Sequence, residues 1–310
     1  MIPLRPALDD YLSVRRALGY KLRRAEKLLA DFIDFVDGIG SDRITIDLAV
    51  SWATQPAGAD ASWWAARLSV VRGFATYLHI LDATTEVPPP DLLPRRSHRA
   101  VPYLYSDEDI AALAKAAESL SSPLRILTYQ TLIPLLAVTG MRIGEAIRLD
   151  RSDLDHRAGM LTVRVSKFGK SRELPLHAST VQALRSYLRH RDRLAVRPEP
   201  TAPSLFISTA GTRLLYCNVQ WTFQRLVHRA GLKARSTQCR PRLHDLRHSF
   251  AVRTVIDAYQ ADANVAVRLP LLSTYLGHVH PAQTYWYLSA APELLALAGQ
   301  RLERSLQEWS

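Results

Sequence analysis

The sequence predicts a mainly α-helical protein of two domains, of which the second also contains a small β-hairpin or sheet. Three observations support this prediction. Apolar residues recur three and four positions apart over much of the chain, residues 87–102 are rich in proline and arginine without such periodicity, and apolar residues alternate with polar ones from Leu161 to Lys167. A chain of 310 residues is long enough to bury two separate cores.

Residues 1–95 are predicted to form an all-α bundle. One helical face is traced by Leu22, Ala25, Leu29, Phe32 and Val36. A second face is traced by Trp64, Leu68, Val71, Ala75 and Leu78. We also expect a shorter helix over residues 46–52 and an opening helix that contains Leu8, Tyr11 and Leu12.

The aperiodic, proline-rich segment predicts a domain boundary. Residues 96–102 are expected to be a stiff basic linker, and residues 103–310 the second domain. Ser106 is placed to cap the first helix of this domain. After Pro292 we expect a last helix, whose apolar stripe comprises Leu295, Ala298, Leu302, Leu306 and Trp309.

Positive charge is concentrated in the second domain. Residues 1–95 contain 11 Lys and Arg against 12 Asp and Glu, whereas residues 96–310 contain 29 against 17. The whole chain carries a formal net charge of +11. This distribution favours a polyanionic partner, which the second domain would bind.

Six polar residues follow one another in the second domain, each within a distinct local pattern. They are Arg142 in TGMRIGE, Lys167 in VSKFGKSRELPL, His244 and Arg247 in HDLRHSFA, His278 in LGH, and Tyr287 nine residues beyond His278. Arginines fork onto phosphate oxygens, lysine and histidine transfer protons, and a tyrosine hydroxyl can act as a nucleophile. These are the groups needed to break and rejoin a phosphodiester without a metal.

Arg142 is predicted to lie at a junction of two helices. The apolar run 132–138 indicates a buried helix that Gly140 can terminate, which leaves Arg142 at the start of the next helix. The core-facing residues of that helix would be Ile143, Ala146 and Ile147. The alternative role for Arg142 is an ordinary surface ion pair with Glu145.

Lys167 ends the segment of alternating residues. The apolar residues from Leu161 onward share one face of a strand with Lys167, so this lysine is expected to point inward. Gly169 permits a tight turn before a return strand over residues 172–176. A lysine at a hairpin tip can also be a solubilising charge, and Lys170 is the substitute if the strand register slips.

His244, Arg247 and His248 are spaced to share one face of a helix that opens at His244. Leu246 and Phe250 would anchor the opposite face. For His248 we expect a packing role, because a histidine beside an aromatic ring is more often structural than catalytic.

Two pairs of alternatives lie near the C-terminus. Gly277 ends an apolar stretch and presents His278, with His280 as the competing histidine. Tyr285 and Tyr287 are two residues apart, so they face different ways on a helix and only one would be the nucleophile.

In this order and spacing, the six residues resemble the active site of the tyrosine recombinase (phage integrase) family. The resemblance runs from about residue 103 to the C-terminus, and less specifically over the rest of the chain. It implies an N-terminal core-binding domain and an α+β catalytic domain. It also selects His278 over His280 and Tyr287 over Tyr285.

The resemblance implies a site-specific DNA recombinase that needs no metal ion, ATP or other cofactor. Tyr287 would form a 3′-phosphotyrosine, Lys167 would protonate the departing 5′ oxygen, and two arginines and two histidines would bind the phosphate: Arg142, Arg247, His244 and His278. Four protomers would assemble on double-stranded DNA, with accessory recombination proteins as further partners. The Tyr-Trp-Tyr-Leu run is more typical of mobile-element recombinases, which integrate, transpose or resolve DNA.

Other features narrow the class of protein. There is no charged-then-apolar leader and no apolar run long enough to span a bilayer, so a soluble cytoplasmic protein without a membrane partner is expected. Cys217 and Cys239 are too few for a metal site, and we expect both to be packing residues.

Several functional alternatives remain open. A type IB topoisomerase shares the tyrosine chemistry, and a DNA-binding accessory protein could use the same scaffold without catalysis. Six basic residues against one acidic residue between Arg15 and Lys27 form either a solvated helix surface or a strip along the DNA backbone. The last helix packs either on its own domain or on a neighbouring subunit.

Overall fold

The computed structural model describes residues 2–94, 101–164, 171–194, 203–261, 263–278, 284–285, 296 and 299. The chain divides into two compact units, residues 1–99 and 100–310. The division falls within the segment 96–102, for which a linker was predicted. The DNA-binding role of the first unit and the exact domain boundaries remain predictions.

The first unit is a helical bundle, as its sequence periodicity predicts. Its described helices are α1 (Leu4–Ala17), α2 (Arg23–Gly38), α3 (Ile46–Thr54) and α4 (Ala61–Leu81). The apolar faces of α2 and α4 are buried in one core, which includes Leu29, Phe32, Val36, Leu68, Val71, Ala75 and Leu78. The side chains of Thr45 and Asp60 accept hydrogen bonds from backbone N–H groups and so fix the starts of α3 and α4.

The second unit combines helices with one small sheet. Its described helices are α5 (Asp107–Ala116), α6 (Pro123–Thr139), α7 (Ile143–Arg148), α8 (Ala178–Leu194), α9 (Tyr216–Arg229), α10 (Asp245–Gln260) and α11 (Val265–Leu276). Three antiparallel strands lie in the order β1 (Leu154–Asp155), β2 (Met160–Val163) and β3 (Arg172–Pro175). In the β2–β3 pair, Val163 lies opposite Arg172.

The apolar pattern of each element explains the core of the second unit. Alternate residues Leu161, Val163 and Leu174 of the sheet are buried, together with one face each of α6 and α9. A second buried cluster joins α10 to α11 and includes Val252, Val255, Leu269, Leu272 and Leu276. Since these two clusters hold the ends of α6, α10 and α11, they place three of the predicted motifs.

Capping residues define where the helices of this unit begin and end. Ser106 caps α5, and Asp109 completes the reciprocal capping box. Gly140 ends α6 in the left-handed region, with φ of +58°. A Cβ at this position would lie 2.4 Å from the Phe250 ring, so only glycine fits here. The predicted start of α5 and the predicted end of α6 are therefore confirmed.

Some sequence predictions concern residues that the structure does not describe, and one is wrong. The segment 165–170 with Lys167 and Lys170, the segment 279–283 with His280, and Tyr287 lie outside the described residues, as does nearly all of the predicted last helix. Cys239 is buried as expected, whereas Cys217 is exposed near the start of α9, so the packing role predicted for it is wrong. Among the described helices, none is long and apolar enough to cross a membrane.

Candidate active site

Arg142 lies at the start of α7, where the sequence placed it. Its backbone N–H donates to Glu145 Oε2 at 2.9 Å, and its Nη1 donates to Glu145 Oε1 at 2.9 Å. Its Nη2 approaches the carbonyl oxygen of Gly277 at 3.4 Å, which brings the TGMRIGE and LGH motifs together. The Arg142 side chain keeps 24% of its surface exposed. The ion pair with Glu145 therefore exists, but at a helix junction in a site rather than on an open surface.

Glu145 is the buried anion of this site. Its side chain is 1% exposed, and it faces Arg142 on one side and Arg172 on the other. Burial alone would raise the pKa of the Glu145 carboxyl, but the hydrogen bonds and charge of Arg172, and then those of Arg142, outweigh it and lower the pKa to about 2. Glu145 is therefore a carboxylate that two guanidinium groups share.

Arg172 is a site residue that the sequence interpretation did not name. Its Nη1 and Nη2 donate to Glu145 Oε1 and Oε2 at 3.2 and 2.7 Å, and its Nε donates to the Tyr275 carbonyl oxygen at 2.8 Å. The alternation of residues in the return strand could have indicated that Arg172 points inward. Because Arg172 is two residues before the buried Leu174, both side chains share the inward face of β3.

Arg247 is enclosed in the second unit, with 2% of its surface exposed. Its Nη1 donates to the Gly140 carbonyl oxygen at 2.8 Å, and its Nη2 donates to the Leu276 carbonyl oxygen at 2.6 Å. These carbonyls lie at the C-terminal ends of α6 and α11, where the helix dipole is negative. The two helix ends thus stabilise a buried cation.

His244 lies immediately before the first residue of α10, one turn from Arg247. Desolvation of its ring, followed by the charges of Arg247, Arg142 and Arg242, lowers the pKa of His244 to about 4, although part of the residue remains exposed. Its ring packs edge-on against that of His248, with centroids 4.8 Å apart. The packing role predicted for His248 agrees with this contact.

His278 follows Gly277, which ends α11 with φ of +67°. Its Nδ1 lies 2.7 Å from the Thr284 hydroxyl, and Thr284 is buried. Burial, followed by the charges of Arg247 and Arg142, lowers the pKa of His278 to about 4. At neutral pH both histidines of the site are therefore uncharged.

The structure brings together four of the six predicted site residues: Arg142, His244, Arg247 and His278. Lys167 and Tyr287 lie outside the described residues, so their places in the site remain predictions. Tyr285, the rival to Tyr287, is 50% exposed and is thus not a core residue.

The electrostatics of the cluster favour an anion. Two neutral imidazoles lie among guanidinium groups that lower the pKa of both rings, and the buried carboxylate of Glu145 is already shared by two arginines. The described part of the site therefore has more positive than negative charge. A phosphate with two negative or partly negative oxygens would compensate this excess.

Comparison with known sequences decides the family. Residues 104–293 match the family model described as the phage integrase family. The chain belongs to the phage integrase family. The chain is 45% identical over 313 aligned residues to the Sinorhizobium fredii protein y4rB, named provisionally as an integrase/recombinase, and the alignment covers 99% of each chain.

Solved structures share the fold of this chain. The Tn1549 transposon integrase in complex with transposon right end DNA aligns with a TM-score of 0.65 and 18% identity, over 96% of this chain and 98% of the other. A lambda integrase tetramer bound to a Holliday junction aligns with a TM-score of 0.57 and 22% identity, over 91% of this chain and 77% of the other. The mainly α-helical fold with a small sheet is thus confirmed.

Proposed function

We propose that the protein is a site-specific DNA recombinase that cleaves and rejoins DNA through a 3′-phosphotyrosine intermediate. The observation that carries this proposal is the convergence of Arg142, Arg247, His244 and His278 on one site with excess positive charge. The family assignment supports the same chemistry.

Arg142 and Arg247 differ in what they offer to a phosphate. Arg142 is partly exposed, and its guanidinium has N–H donors left beyond its contacts with Glu145 and Gly277. It is suited to fork onto the non-bridging oxygens of the scissile phosphate. Arg247 is nearly buried, so it would act mainly through its charge and through the two helix ends that it holds.

Proton transfer would be divided between two sides of the scissile phosphorus. As the Tyr287 oxygen attacks, its proton passes to His244, which is able to accept it because the imidazole is neutral at neutral pH. The bond from phosphorus to the 5′ oxygen breaks, and Lys167 protonates that oxygen. The products are a 3′-phosphotyrosyl bond and a free 5′-hydroxyl, and rejoining is the reverse of these steps.

The contact between His278 and Thr284 supports a nucleophile in the segment that follows Thr284. It holds residue 284, which precedes Tyr285 by one residue and Tyr287 by three, against a histidine of the site. His278 itself would donate to a phosphate oxygen.

Assembly and biological role rest on the relatives. The lambda integrase structure contains a tetramer on a Holliday junction, which supports four protomers on two DNA duplexes for this chain as well. The Tn1549 integrase is a transposon protein bound to a transposon end, which supports a role in the movement of a mobile element. A cytoplasmic location would follow from action on bacterial DNA.

A nicked suicide substrate tests the proposed function. Binding sites would be selected from a random duplex library with the Tyr287→Phe variant and then nicked beside the cleavage point. Wild type and Tyr285→Phe should form a covalent protein–DNA adduct on a denaturing gel, whereas Tyr287→Phe should not. An adduct with Tyr287→Phe but not with Tyr285→Phe would transfer the nucleophile to Tyr285.

A relaxation assay on supercoiled plasmid, run beside the suicide-substrate assay, separates the competing functions. Relaxation of supercoiled DNA without recombinant product or sequence preference would indicate a topoisomerase. Sequence-specific binding without any adduct would indicate an accessory protein and would contradict the catalytic proposal.

A further inference from the structure

Arg142 and Arg172 share one carboxylate unequally. Arg172 binds both oxygens of Glu145 with its guanidinium fork and is 12% exposed, whereas Arg142 uses a single side-chain N–H and is 24% exposed. A bidentate contact is stronger and better oriented than a single hydrogen bond. The deeper arginine therefore neutralises the carboxylate, and the outer arginine is bound more loosely.

This unequal sharing matters because the buried carboxylate of Glu145 and the substrate phosphate would compete for the same guanidinium, that of Arg142. If Arg172 were absent, the Glu145 carboxylate would attract the Arg142 guanidinium more strongly, since Arg142 would be its remaining cation among the described contacts and a buried charge without compensation is unfavourable. The Arg142 N–H groups needed by the phosphate would then be occupied. With Arg172 present, the charge of Glu145 stays neutralised, so the carboxylate would compete less with a phosphate for the N–H groups of Arg142.

Arg172 also fixes the neighbouring histidine segment. Its Nε holds the Tyr275 carbonyl at the end of α11, and Gly277 lies so close that a Cβ there would be 3.1 Å from Arg172 Nη1. Since His278 follows Gly277, one guanidinium sets the distance between β3, the start of α7 and the histidine.

We propose that Arg172 is a positioning residue for Arg142, which it leaves available to bind the scissile phosphate by neutralising Glu145. This inference rests on the proposed function, and it concerns a residue that would touch neither the phosphate nor the nucleophile. It predicts that an Arg172 variant reduces adduct formation in the same way as an Arg142 variant, and not in the way of a variant that is merely less stable.

The test compares two suicide DNA substrates under single-turnover conditions. One has the natural phosphodiester at the cleavage point, and the other has a methylphosphonate, in which a methyl group replaces one charged oxygen. The neutral linkage needs less positive charge from the protein. Arg142→Ala should therefore lose adduct formation on the phosphodiester and recover much of it, relative to wild type, on the methylphosphonate.

Arg172→Gln should show the same pattern as Arg142→Ala, with a loss of roughly 100-fold on the phosphodiester and a loss of less than about 10-fold on the methylphosphonate. Arg172→Lys, which keeps the charge but not the fork, should fall between wild type and Arg172→Gln. Should Arg172→Gln fail to fold, the Lys variant carries the same test.

Arg213 provides the matched control. Its guanidinium also joins a carboxylate to backbone carbonyls, with Asp150 Oδ1 at 2.6 Å and the Ile147 carbonyl oxygen at 2.8 Å. Its contacts are outside the phosphate-binding set. Arg213→Gln should therefore change adduct formation by the same factor on both substrates, which would reflect stability alone.

A double variant tests the role of the carboxylate directly. If Arg172 acts by neutralising Glu145, then Arg172→Gln should cost far less in a Glu145→Gln background, because no anion remains to capture Arg142. Equal costs in both backgrounds would contradict the proposal.

The outcomes distinguish this inference from the proposed function. An unchanged rate for Arg172→Gln, or an equal loss on both substrates by folded Arg172 variants, overturns the positioning role alone. The absence of any adduct with wild type on the phosphodiester would instead overturn the recombinase proposal.

Discussion

Arg247 donates a hydrogen bond of 2.6 Å to the carbonyl oxygen of Leu276, the last residue of the helix that precedes His278. Its other terminal nitrogen donates to Gly140, at the end of the helix that precedes Arg142. One buried guanidinium therefore fixes the distance between two motifs that lie more than a hundred residues apart in the chain.

Arg247→Lys should destabilise the protein, because a compact ammonium on a shorter side chain does not reproduce the guanidinium fork that donates to both carbonyls. We expect the free energy of unfolding in urea to fall by about 3 kcal/mol, with severe loss of covalent adduct. The control is Arg151→Lys, which changes an exposed pair with Asp192 and should cost at most about 0.5 kcal/mol. Similar costs for both variants would mean that the two carbonyl contacts contribute little.

Gly140→Ala should destabilise the second unit for two reasons. The left-handed backbone costs about 1 kcal/mol for a residue with a Cβ, and the contact with Phe250 adds about 1–3 kcal/mol. Gly211→Ala isolates the first cost, since Gly211 has φ of +75° and nothing near its Cβ position. Thermal unfolding should show a larger loss of stability for Gly140→Ala than for Gly211→Ala. Adding Gly140→Ala to a Phe250→Ala background should cost only the part that comes from the left-handed backbone, because the contact with the ring is then absent.

The two histidines should titrate near pH 4 in the free protein. The unfolded chain would take up these protons near pH 6.5, so stability should fall as the pH drops from about 6.5 to 4. NMR titration of the His244 and His278 ring protons measures the two pKa values. Arg142→Ala should raise both, and DNA should raise them too because a phosphate favours the charged ring. Unchanged values in Arg142→Ala would contradict the electrostatic coupling.

Glu145 should make stability depend on pH in a lower range. Its pKa of about 2 in the folded protein lies below the value of 4.5 for an ordinary glutamate, so its contribution is present above pH 4.5 and is lost as the pH falls towards 2. The contribution is about 3 kcal/mol at most. Urea unfolding at several pH values should show this decline in wild type and a flatter profile in Glu145→Gln.

The sequence predicted the parts of the site that depend on local pattern. Gly140 required only that a helix end there, and the spacing of His244 and Arg247 required only a helix that starts at His244. Both positions were confirmed because helix ends and periodicity are set within a few residues.

Contacts between distant segments were not predictable in this way. The carbonyl partners of Arg247 and the contact of Arg172 with Tyr275 join elements whose packing is fixed by the whole core. Periodicity gives the inward face of β3, but it does not show which carboxylate lies behind that face. Arg172 was therefore missed, although Leu174 pointed to its orientation.

The pairing of Val163 with Arg172 has a consequence for changes in the hairpin. Deletion or insertion of one residue within β3 would turn its side chains over, so Arg172 would face water and Glu145 would lose its main counter-charge. Changes in the connection between β2 and β3 leave this parity intact. For folding, variation in hairpin length should therefore be tolerated in the connection and excluded from the paired strands, whereas a change in the connection would act on the proposed role of Lys167. A library of single-residue insertions across residues 160–176, scored for thermal stability, would map this boundary.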